Sequence, residues 1–458
     1  MQDKPTVEAK PIKEAKPATT VPARAAQVGE NHDDPERRSR WPWIESSIWT
    51  NRMLAALETG VKGGVWFCLI DKVFSLKNLW SSWAKAAKNK GAGGVDGITI
   101  DRYEKDVEAN LAYLSEQLRA GTYQPQPIRR TFIPKSDGTK RPLGIPTVRD
   151  RIVQGAVRHV IEPIFEKEFA PQSLGFRPGR GCREALRRVE ELLKSGYRYV
   201  VDADLKSYFD TIPHDLLMKQ VKTRVADGPV LKLIESFLKA NIMEGLNQWT
   251  PMAGAPQGAV LSPLLSNIYL NPLDHLMAGR GYEMVRYADD FVILCRTKQD
   301  AEDALAQVKQ WTAQAGLSLH PEKARLIDAA TDAFEFLGYR FHKGRRWVRH
   351  KSIMKLRETI RSRTRRSSGV SLKVTIDRIN PVLRGWFGYF KHASGGMREI
   401  DGWVRERLRN ILRHQHKRPG RSGRADWIRW PNAFFTGMGL YTLESAHRLA
   451  RQSMKMAQ

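Results

Sequence analysis

Cysteine is scarce in this sequence. Cys68, Cys182 and Cys295 are the only cysteines in 458 residues, and they lie far apart along the chain. Because a zinc ribbon or a disulfide framework needs closely spaced or paired cysteines, the sequence excludes both classes. This cysteine usage is typical of a protein in a reducing compartment.

Long apolar runs are also lacking. The longest uncharged stretch, Gly245 to Leu273, contains four prolines with glutamine and asparagine between them. Proline and polar amides at that frequency exclude a membrane-spanning helix. The N-terminus carries charges and prolines instead of the apolar core of a secretory signal, so we expect no membrane partner.

Acidic residues are few compared with basic ones. The chain has 49 Asp and Glu against 76 Lys and Arg, which gives a net charge of +27. Most of the excess lies from Arg340 onward, where basic residues outnumber acids 29 to 7. A segment this basic is suited to a polyanion, and phosphates of a nucleic acid are the natural partner.

Hydrophobic residues make up 41% of the chain, which excludes wholesale disorder, and its length indicates several domains. Helical periodicity precedes a predicted β-hairpin around Ser136-Asp137-Gly138, and amphipathic helices return after the middle of the chain. In the second of three C-terminal helices, Asn380-Pro381 predicts either a kink or a helix start. We predict a disordered tail (1–45), a helical extension with part of a β-layer (46–127), an α+β region (128–341), a helical bundle (342–420) and a basic, aromatic segment (421–458).

Carboxylates follow or precede two predicted strands. Asp204 ends the apolar run that begins at Tyr199, and Asp289-Asp290 directly precede the run Phe291 to Cys295. If the two strands are neighbours, the three acids converge, and their hard oxygen donors suit Mg²⁺. Two such ions about 4 Å apart would activate a hydroxyl and stabilise a leaving pyrophosphate. The alternative is an exposed acidic turn, because Asp-Asp is common in turns.

Several motifs in chain order resemble the conserved blocks of reverse transcriptases. Tyr287-Ala288-Asp289-Asp290 resembles the YxDD signature of that family, and Asp204 to Asp210 resembles its first catalytic block. The other matching segments are Ile133 to Pro146 (a finger hairpin), Leu174 to Cys182, Pro256-Gln257-Gly258 with Leu261-Ser262-Pro263, and Phe336 to Tyr339. Each motif is weak alone, whereas the ordered set is specific.

Two further segments resemble the reverse transcriptase/maturases encoded by bacterial group II introns. Gly91 to Thr99 is similar to their N-terminal extension, and Val382 to Phe390 is similar to their maturase, or thumb, domain. The resemblance implies an α+β fold with right-hand polymerase-like fingers and palm. The palm would be an antiparallel sheet with helices on one face, followed by an α-helical thumb bundle. Because no cysteine follows Cys295, we expect the HNH endonuclease of many members to be missing.

The resemblance also implies roles for the acids. Asp204 and Asp289 would bridge two Mg²⁺ ions, and Asp290 would complete the cluster. Asp202 lies on the same strand face as Asp204, where it is either a supporting acid or a solvated one.

A nucleotide pocket is implied by the same blocks. Lys135 and Arg141 of the hairpin would clamp the triphosphate, unless they are solvated charges. Phe209 would exclude a 2′-hydroxyl and so select deoxynucleotides, unless it is an ordinary core residue. Gln257 and Gly258 would line the pocket, and Lys323 would lie near the pyrophosphate.

Basic residues in the glycine-rich block and in the basic C-terminal region are predicted to contact nucleic acid, those of the C-terminal region through the phosphates. They are Arg177, Arg180, Arg345, Arg346, Arg349, Lys351, Arg361 and Arg365. Exposed surface charge is the alternative for any one of them.

The predicted function is RNA-directed DNA synthesis from dNTPs, coupled to binding of group II intron RNA for splicing and mobility. The expected partners are intron RNA, an RNA template, a DNA primer or target, and dNTPs, in a ribonucleoprotein of the bacterial cytoplasm. Two alternatives stay open: a splicing maturase with an idle polymerase, and a domesticated reverse transcriptase in phage defence.

Overall fold

The computed structural model describes residues 35–134, 138–321, 324–367, 369–418, 420 and 422–456. The N-terminal part of this range is helical: α1 (Pro35–Arg40), α2 (Asn51–Thr59), α3 (Ile70–Val73), α4 (Leu76–Asn89), α5 (Ile100–Glu104) and α6 (Val107–Arg119). The disordered tail predicted over 1–45 is wrong from residue 35 onward. Ile44 is buried in the core and Arg37 pairs with Glu58 at 3.0 Å, because the apolar residues around Trp41 pack against the helices that follow.

A fingers layer follows these helices. Strands β1 (Ile128–Pro134) and β2 (Lys140–Ile145) form the predicted antiparallel hairpin, with Arg129 opposite Ile145. Two short strands, β4 (Ile242–Glu244) and β5 (Asn247–Trp249), complete a sheet of order β2-β1-β4-β5. The parallel contact between β1 and β4 is limited to two residue pairs, beginning with Ile128 opposite Ile242. The turn residues Ser136 and Asp137 lie outside the described residues.

The palm is an antiparallel sheet of order β6-β7-β3-β8. Its strands are β3 (Tyr199–Asp204), β6 (Glu283–Tyr287), β7 (Asp290–Cys295) and β8 (Arg325–Asp328). The helices around it are α7 (Val148–Glu166), α8 (Cys182–Lys194), α9 (Tyr208–Thr211), α10 (His214–Lys222), α11 (Gly228–Leu238), α12 (Ser262–Gly279) and α13 (Lys298–Gln314). Strand β7 is apolar on both faces, which is typical of a strand covered on both sides.

Helices cover both faces of the palm sheet. Val201 and Ile293 belong to the hydrophobic core that includes α7, α12 and α13. Their neighbours Val200 and Val292 point the other way and share a second core with α8. The α+β class is therefore confirmed, but the expectation of helices on one face is wrong, because alternate residues of both central strands are apolar.

The thumb begins with a three-stranded sheet of order β11-β10-β9, formed by β9 (Phe334–Phe336), β10 (Tyr339–His342) and β11 (Arg345–Val348). Helices α14 (His350–Arg363), α15 (Leu372–Phe390) and α16 (Met397–Gln415) form the predicted bundle. Pro381 lies inside the continuous helix α15, so it does not start a helix. The preceding side chain, Asn380, donates to the carbonyl of Gly439 and accepts from the amide of Tyr441, both at 2.8 Å.

The segment after the bundle joins the same core. It forms α17 (Arg424–Arg429), α18 (Asn432–Gly437) and α19 (Leu443–Met456), and Trp430, Phe435 and Leu443 are buried with the bundle residues. Across the described residues, no helix combines the length and the apolar character that crossing a bilayer requires.

Candidate functional site

The three predicted acids meet at one end of the palm sheet. Asp204, the last residue of β3, lies directly opposite Asp290, the first residue of β7. Asp289 precedes Asp290 in the turn that joins β6 to β7, where Tyr287 pairs with Asp290. The carboxylates are thus brought together by strand register, as the sequence predicted.

Burial and mutual repulsion raise the pKa values of Asp289 and Asp290. Burial, together with the neighbouring carboxylates of Asp204, Asp202 and Asp289, raises the pKa of Asp290 to about 7. Burial, with Asp204, also raises the pKa of Asp289, against opposing effects of Arg141 and Arg286. Such a cluster favours binding of a cation, because a nearby positive charge stabilises the ionised carboxylates.

Asp202 faces the same cluster from two residues earlier in β3. Burial raises its pKa to about 6, while Arg325 opposes that shift from 3.7 Å away. Asp202 is therefore a half-buried acid that faces Arg325. This environment fits an acid that supports the cluster better than it fits a freely solvated acid.

The donor chemistry of the cluster fits a hard divalent cation. Carboxylate oxygens are the ligands that Mg²⁺ takes, usually one or two with waters and substrate phosphates completing its octahedron. Among the described residues, no three His, Cys, Asp or Glu side chains already form a group that could hold a metal ion. A site completed by substrate oxygens does not require such a group.

The turn that carries Asp289 has an uncommon backbone conformation. Ala288, the first of the two residues between β6 and β7, has a φ of +61°, a region that residues with a Cβ adopt rarely. Its carbonyl oxygen accepts a hydrogen bond of 2.8 Å from a guanidinium nitrogen of Arg286. The side chain of Arg286 in β6 therefore stabilises the turn that carries Asp289.

Arg286 is fully buried and anchors a polar network that the sequence analysis missed. Its Nε donates to Asp274 Oδ1 at 2.7 Å, and its other nitrogens reach Asn267 (3.1 Å) and Ser173 (2.6 Å). A buried charge is stable only when paired and hydrogen-bonded, and here each partner comes from another part of the chain. An arginine within an apolar strand, three residues before Asp289, was the signal that could have identified it.

The loop of the predicted arginine-glycine block packs against the back of this turn. A Cβ placed on Gly175 would lie 2.2 Å from the amide nitrogen of Ala288, so only glycine fits there. The carbonyl of Gly175 accepts from Asn267 Nδ2 at 2.8 Å. This block therefore supports the acids sterically.

Three of the predicted nucleotide-pocket residues, Arg141, Gln257 and Gly258, lie together where the hairpin meets the palm. Arg141 Nε donates to Gln257 Oε1 at 2.7 Å, and the amide of Gly144 donates to the carbonyl of Gln257 at 2.6 Å. Gly258 has a φ of +104°, and a Cβ there would approach the carbonyl oxygen of Gly144 to 2.5 Å. The close approach explains why glycine occupies this position.

Phe209 lies at the edge of a cavity of about 460 Å³ that Gln257 also lines. It is 7% exposed, and its ring packs edge-on against Tyr208 with centroids 5.4 Å apart. That placement is compatible with both interpretations, a nucleotide gate and a core residue. Lys135 and Lys323 lie outside the described residues.

Arg177 differs from its prediction as a nucleic-acid contact. Its guanidinium is buried, donates to both oxygens of Glu166 and to the carbonyls of Ala170 and Ser173, and lies over the ring of Phe169. Because every nitrogen is engaged inside the fold, Arg177 cannot reach a phosphate. Arg180 is exposed, although one nitrogen donates to the carbonyl of Pro171 at 3.0 Å.

Arg346 also differs from its prediction. It donates to the carbonyl of His392 at 3.0 Å, lies 3.3 Å from Glu190 of α8, and stacks over Tyr339. It therefore joins the palm to the thumb. Arg349 precedes α14 and faces Glu335 at 3.7 Å. The remaining predicted contacts, Arg345, Lys351, Arg361 and Arg365, are exposed and stay predictions.

Two protein families match this chain. Residues 133–341 match the family described as reverse transcriptase (RNA-dependent DNA polymerase). Residues 353–430 match the maturase-specific domain of group II introns. The first range contains strand β2 of the fingers hairpin and the acids of the palm, and the second contains most of α14 with all of α15 and α16.

Relatives with similar sequences are found in bacteria and in yeast. Protein YkfC of Escherichia coli K12 is 36% identical over 300 residues, which cover 57% of this chain and 78% of YkfC. The group II intron-encoded protein LtrA of Lactococcus lactis is 42% identical over 187 residues, 41% of this chain and 31% of LtrA. A putative COX1/OXI3 intron 1 protein of Saccharomyces cerevisiae is 26% identical over 395 residues, 73% of this chain and 47% of that protein.

The chain thus spans most of YkfC but less than a third of LtrA. The family matches agree with the pairing of Asp204 and Asp290 and with the helical thumb. This chain belongs to the reverse transcriptases that carry a group II intron maturase domain, a family of RNA-directed DNA polymerases.

Proposed function

We propose that this protein extends a DNA primer on an RNA template with dNTPs, and that its maturase domain binds group II intron RNA for splicing and mobility. One observation carries the polymerase part: Asp204 and Asp290 face each other across β3 and β7, and Asp289 lies in the adjoining turn. Acids held together by strand register in a half-buried site are suited to charge-dependent catalysis.

In this proposal Asp204 and Asp289 hold two Mg²⁺ ions jointly, and Asp290 completes the cluster. When bound, two such ions supply Lewis-acid activation of the primer hydroxyl and charge stabilisation at the leaving pyrophosphate. The chain's own contribution is to hold the three carboxylates in place through the strand register and the hydrogen bond from Arg286 to Ala288.

The fingers residues bind and orient the nucleotide. Arg141, already placed by its hydrogen bond to Gln257, presents its guanidinium above the acids for the triphosphate. Phe209 excludes the 2′-hydroxyl of a ribonucleotide from the cavity that it lines with Gln257. Lys135 and Lys323 contact the phosphates by resemblance to the family.

The basic thumb supports the RNA-binding part. The charge excess from Arg340 onward overlaps the maturase-specific domain (residues 353–430); Arg365 is exposed within that domain, and Arg345 and Lys351 are exposed just before it. Exposed cations that neutralise phosphates give affinity that falls steeply with salt. We propose that the protein works as a ribonucleoprotein with intron RNA in the bacterial cytoplasm.

Primer extension tests the polymerase. Asp289→Asn should lower the rate of DNA synthesis about a thousandfold, because several kcal/mol of transition-state charge stabilisation are lost. Asp303→Asn, which changes an exposed acid of α13, is the matched control and should synthesise DNA normally. Normal synthesis by Asp289→Asn would overturn the metal assignment.

Splicing separates the two parts of the proposal. Asp289→Asn should still promote splicing of a group II intron at reduced Mg²⁺, because the maturase domain carries the RNA contacts. If splicing fails while RNA affinity is unchanged, the two activities are not separable. If the wild-type protein splices but extends no primer, the protein is a maturase with an idle polymerase.

A further inference from the structure

The maturase domain contains a cavity with tryptophans in its wall. It has a volume of about 650 Å³ and lies between α16 and the segment α17–α18. Trp403 and Trp427 line it, with Arg405, Arg409 and one acid, Glu406. Neither tryptophan takes part in the polymerase site described above.

Trp427 presents an indole ring that is fixed in place yet open to solvent. It is 56% exposed, its Nε1 donates to Glu406 Oε2 at 3.4 Å, and the guanidinium of Arg409 lies 6.0 Å from its ring centroid. Arg409 is itself held by the carbonyl of Trp430 at 3.0 Å and by Asn432 at 2.9 Å. An exposed aromatic held by its neighbours loses little conformational entropy when another ring stacks on it.

Trp403 is surrounded by cations. The guanidiniums of Arg357, Arg361 and Arg407 lie 5.5 to 5.8 Å from its ring centroid. Burial and the nearby charges of Arg361 and Arg366 lower the pKa of Arg407, which donates to the hydroxyl and the carbonyl of Thr364. Nε of Arg357 is buried, and in the described part of the chain it has no hydrogen-bond partner.

Aromatic faces beside clustered arginines suit one class of ligand. A nucleobase stacks on an indole with little regard to its identity, while the adjoining phosphates pair with guanidiniums. The cavity is large enough for a single base, and its one acid offers an acceptor for the donors on a base edge. A base inside a duplex could not enter, because it is already stacked and paired.

We propose that the cavity between Trp403 and Trp427 receives an unpaired nucleobase of bound RNA, with the flanking phosphates on Arg361 and its neighbours. The inference rests on the proposed binding of RNA by the maturase domain. It adds to that proposal a specific pocket and a requirement for single-stranded RNA.

Photocrosslinking locates the base directly. The full-length protein is mixed with a short oligouridylate that carries 4-thiouridine, in the presence of saturating primer–template duplex that fills the polymerase cleft. Irradiation should join the probe to Trp403, Trp427 or residues beside them, as mapped by mass spectrometry. Crosslinks confined to other parts of the chain overturn the proposal.

Affinity measurements separate stacking from charge. Trp427→Ala should weaken binding of the oligouridylate about tenfold, which corresponds to about 1.4 kcal/mol and to the loss of one base–aromatic stack. Binding of an RNA duplex of the same length should be unchanged, and so should the salt dependence of oligouridylate binding. Arg361→Gln should instead reduce the slope of log affinity against log salt by about 1.

Two matched variants keep the test decisive. Ile428→Ala changes the exposed neighbour of Trp427 on the same helix and should bind like the wild-type protein, whereas Trp427→Phe should retain most of the affinity. Equal losses for single-stranded and duplex RNA would show a phosphate-binding surface and overturn the pocket. A wild-type protein that extends primers but gives no crosslink in the cavity overturns only this inference, whereas failure of synthesis contradicts the proposed function itself.

Discussion

At the scale of single residues, the acids were predictable and their supports were not. Asp204, Asp289 and Asp290 stand at the ends of contiguous apolar runs, so local sequence carries their signal. Arg286, Asp274 and their hydrogen bonds join residues far apart in the chain, which only the tertiary fold brings together. For the same reason the sequence did not show that Arg177 is buried against Glu166.

The Arg286–Asp274 pair allows its structural and positioning roles to be separated. Arg286→Met alone should destabilise the protein by about 3–5 kcal/mol, because Asp274 would be left buried without a partner. The double variant Arg286→Met/Asp274→Leu should recover much of that stability, as measured by urea unfolding. Its DNA synthesis should stay low, since the carbonyl of Ala288 has lost its donor. Full synthesis by the double variant would contradict the positioning role.

Phe209 can be tested for nucleotide selection without emptying the core. Phe209→Val should raise the use of ribonucleotides relative to deoxynucleotides by about tenfold, the scale of discrimination by a small change in an apolar pocket. Competitive primer extension measures the ratio. Phe237→Val, at a buried phenylalanine outside this cavity, loses the same volume and should leave the ratio unchanged. An unaltered ratio in Phe209→Val would favour the core interpretation.

At the scale of helices and strands, local patterns predicted well where one face alone is buried. The hairpin β1–β2 followed from turn chemistry, and the amphipathic thumb helices followed from periodicity. The packing of α8 on the second face of the palm sheet could not be predicted. A run such as Phe291 to Cys295 is apolar throughout, whether helices contact one face of the strand or both. The helix at residues 35–40 also escaped prediction, since its partner Glu58 belongs to another helix.

The contact between α4 and α7 should be sensitive to acid through His159. Its Nδ1 donates to Asn78 Oδ1 at 2.9 Å and its Nε2 accepts from Lys85 at 2.6 Å, so the ring is neutral. Burial, with Lys85 and Arg158 against the opposing Glu45, lowers the pKa of His159 from 6.5 to about 3. Below pH 6.5, His159 therefore binds a proton in the unfolded chain but stays neutral in the native protein. The free energy of unfolding consequently decreases as pH falls from 6.5 towards 3.

Chemical unfolding at several pH values measures this effect. The free energy of unfolding of the wild-type protein should decrease from pH 6.5 downward, and His159→Gln should show a shallower decrease over the same range. His275→Gln, at an exposed histidine, should follow the wild-type curve. Identical curves for all three proteins would show that His159 does not contribute.

At the scale of the whole molecule, the thumb shares one hydrophobic core with the face of the palm sheet that carries Val200 and Val292. Phe390 of α15 packs on Tyr339 of β10, with ring centroids 5.2 Å apart, and the hydroxyl of Tyr339 donates to the carbonyl of Tyr389. The same core continues to Val292 beneath the acids. The sequence predicted separate regions because composition changes near residue 340, whereas burial crosses that boundary.

A fragment experiment tests whether the helical bundle depends on the strands β9–β11 that precede it. Residues 349–458 alone should not unfold cooperatively, because the apolar faces that contact β9–β11 would be exposed to water. A fragment of residues 330–458, which keeps those strands, is the control and should show a distinct thermal transition by circular dichroism. Equal, cooperative transitions in both fragments would mean that the bundle is self-sufficient.

The fingers hairpin is joined to the rest of its sheet over a very short distance. Ile128 and Arg129 of β1 pair with β4, and on β2 both Arg141 and Gly144 donate hydrogen bonds to Gln257. Because this parallel ladder spans only two residue pairs, a rotation of the hairpin about Ile128 would disturb few sheet hydrogen bonds. Such a rotation would move Arg141 relative to the acids, while the register that pairs Asp204 with Asp290 would be unchanged.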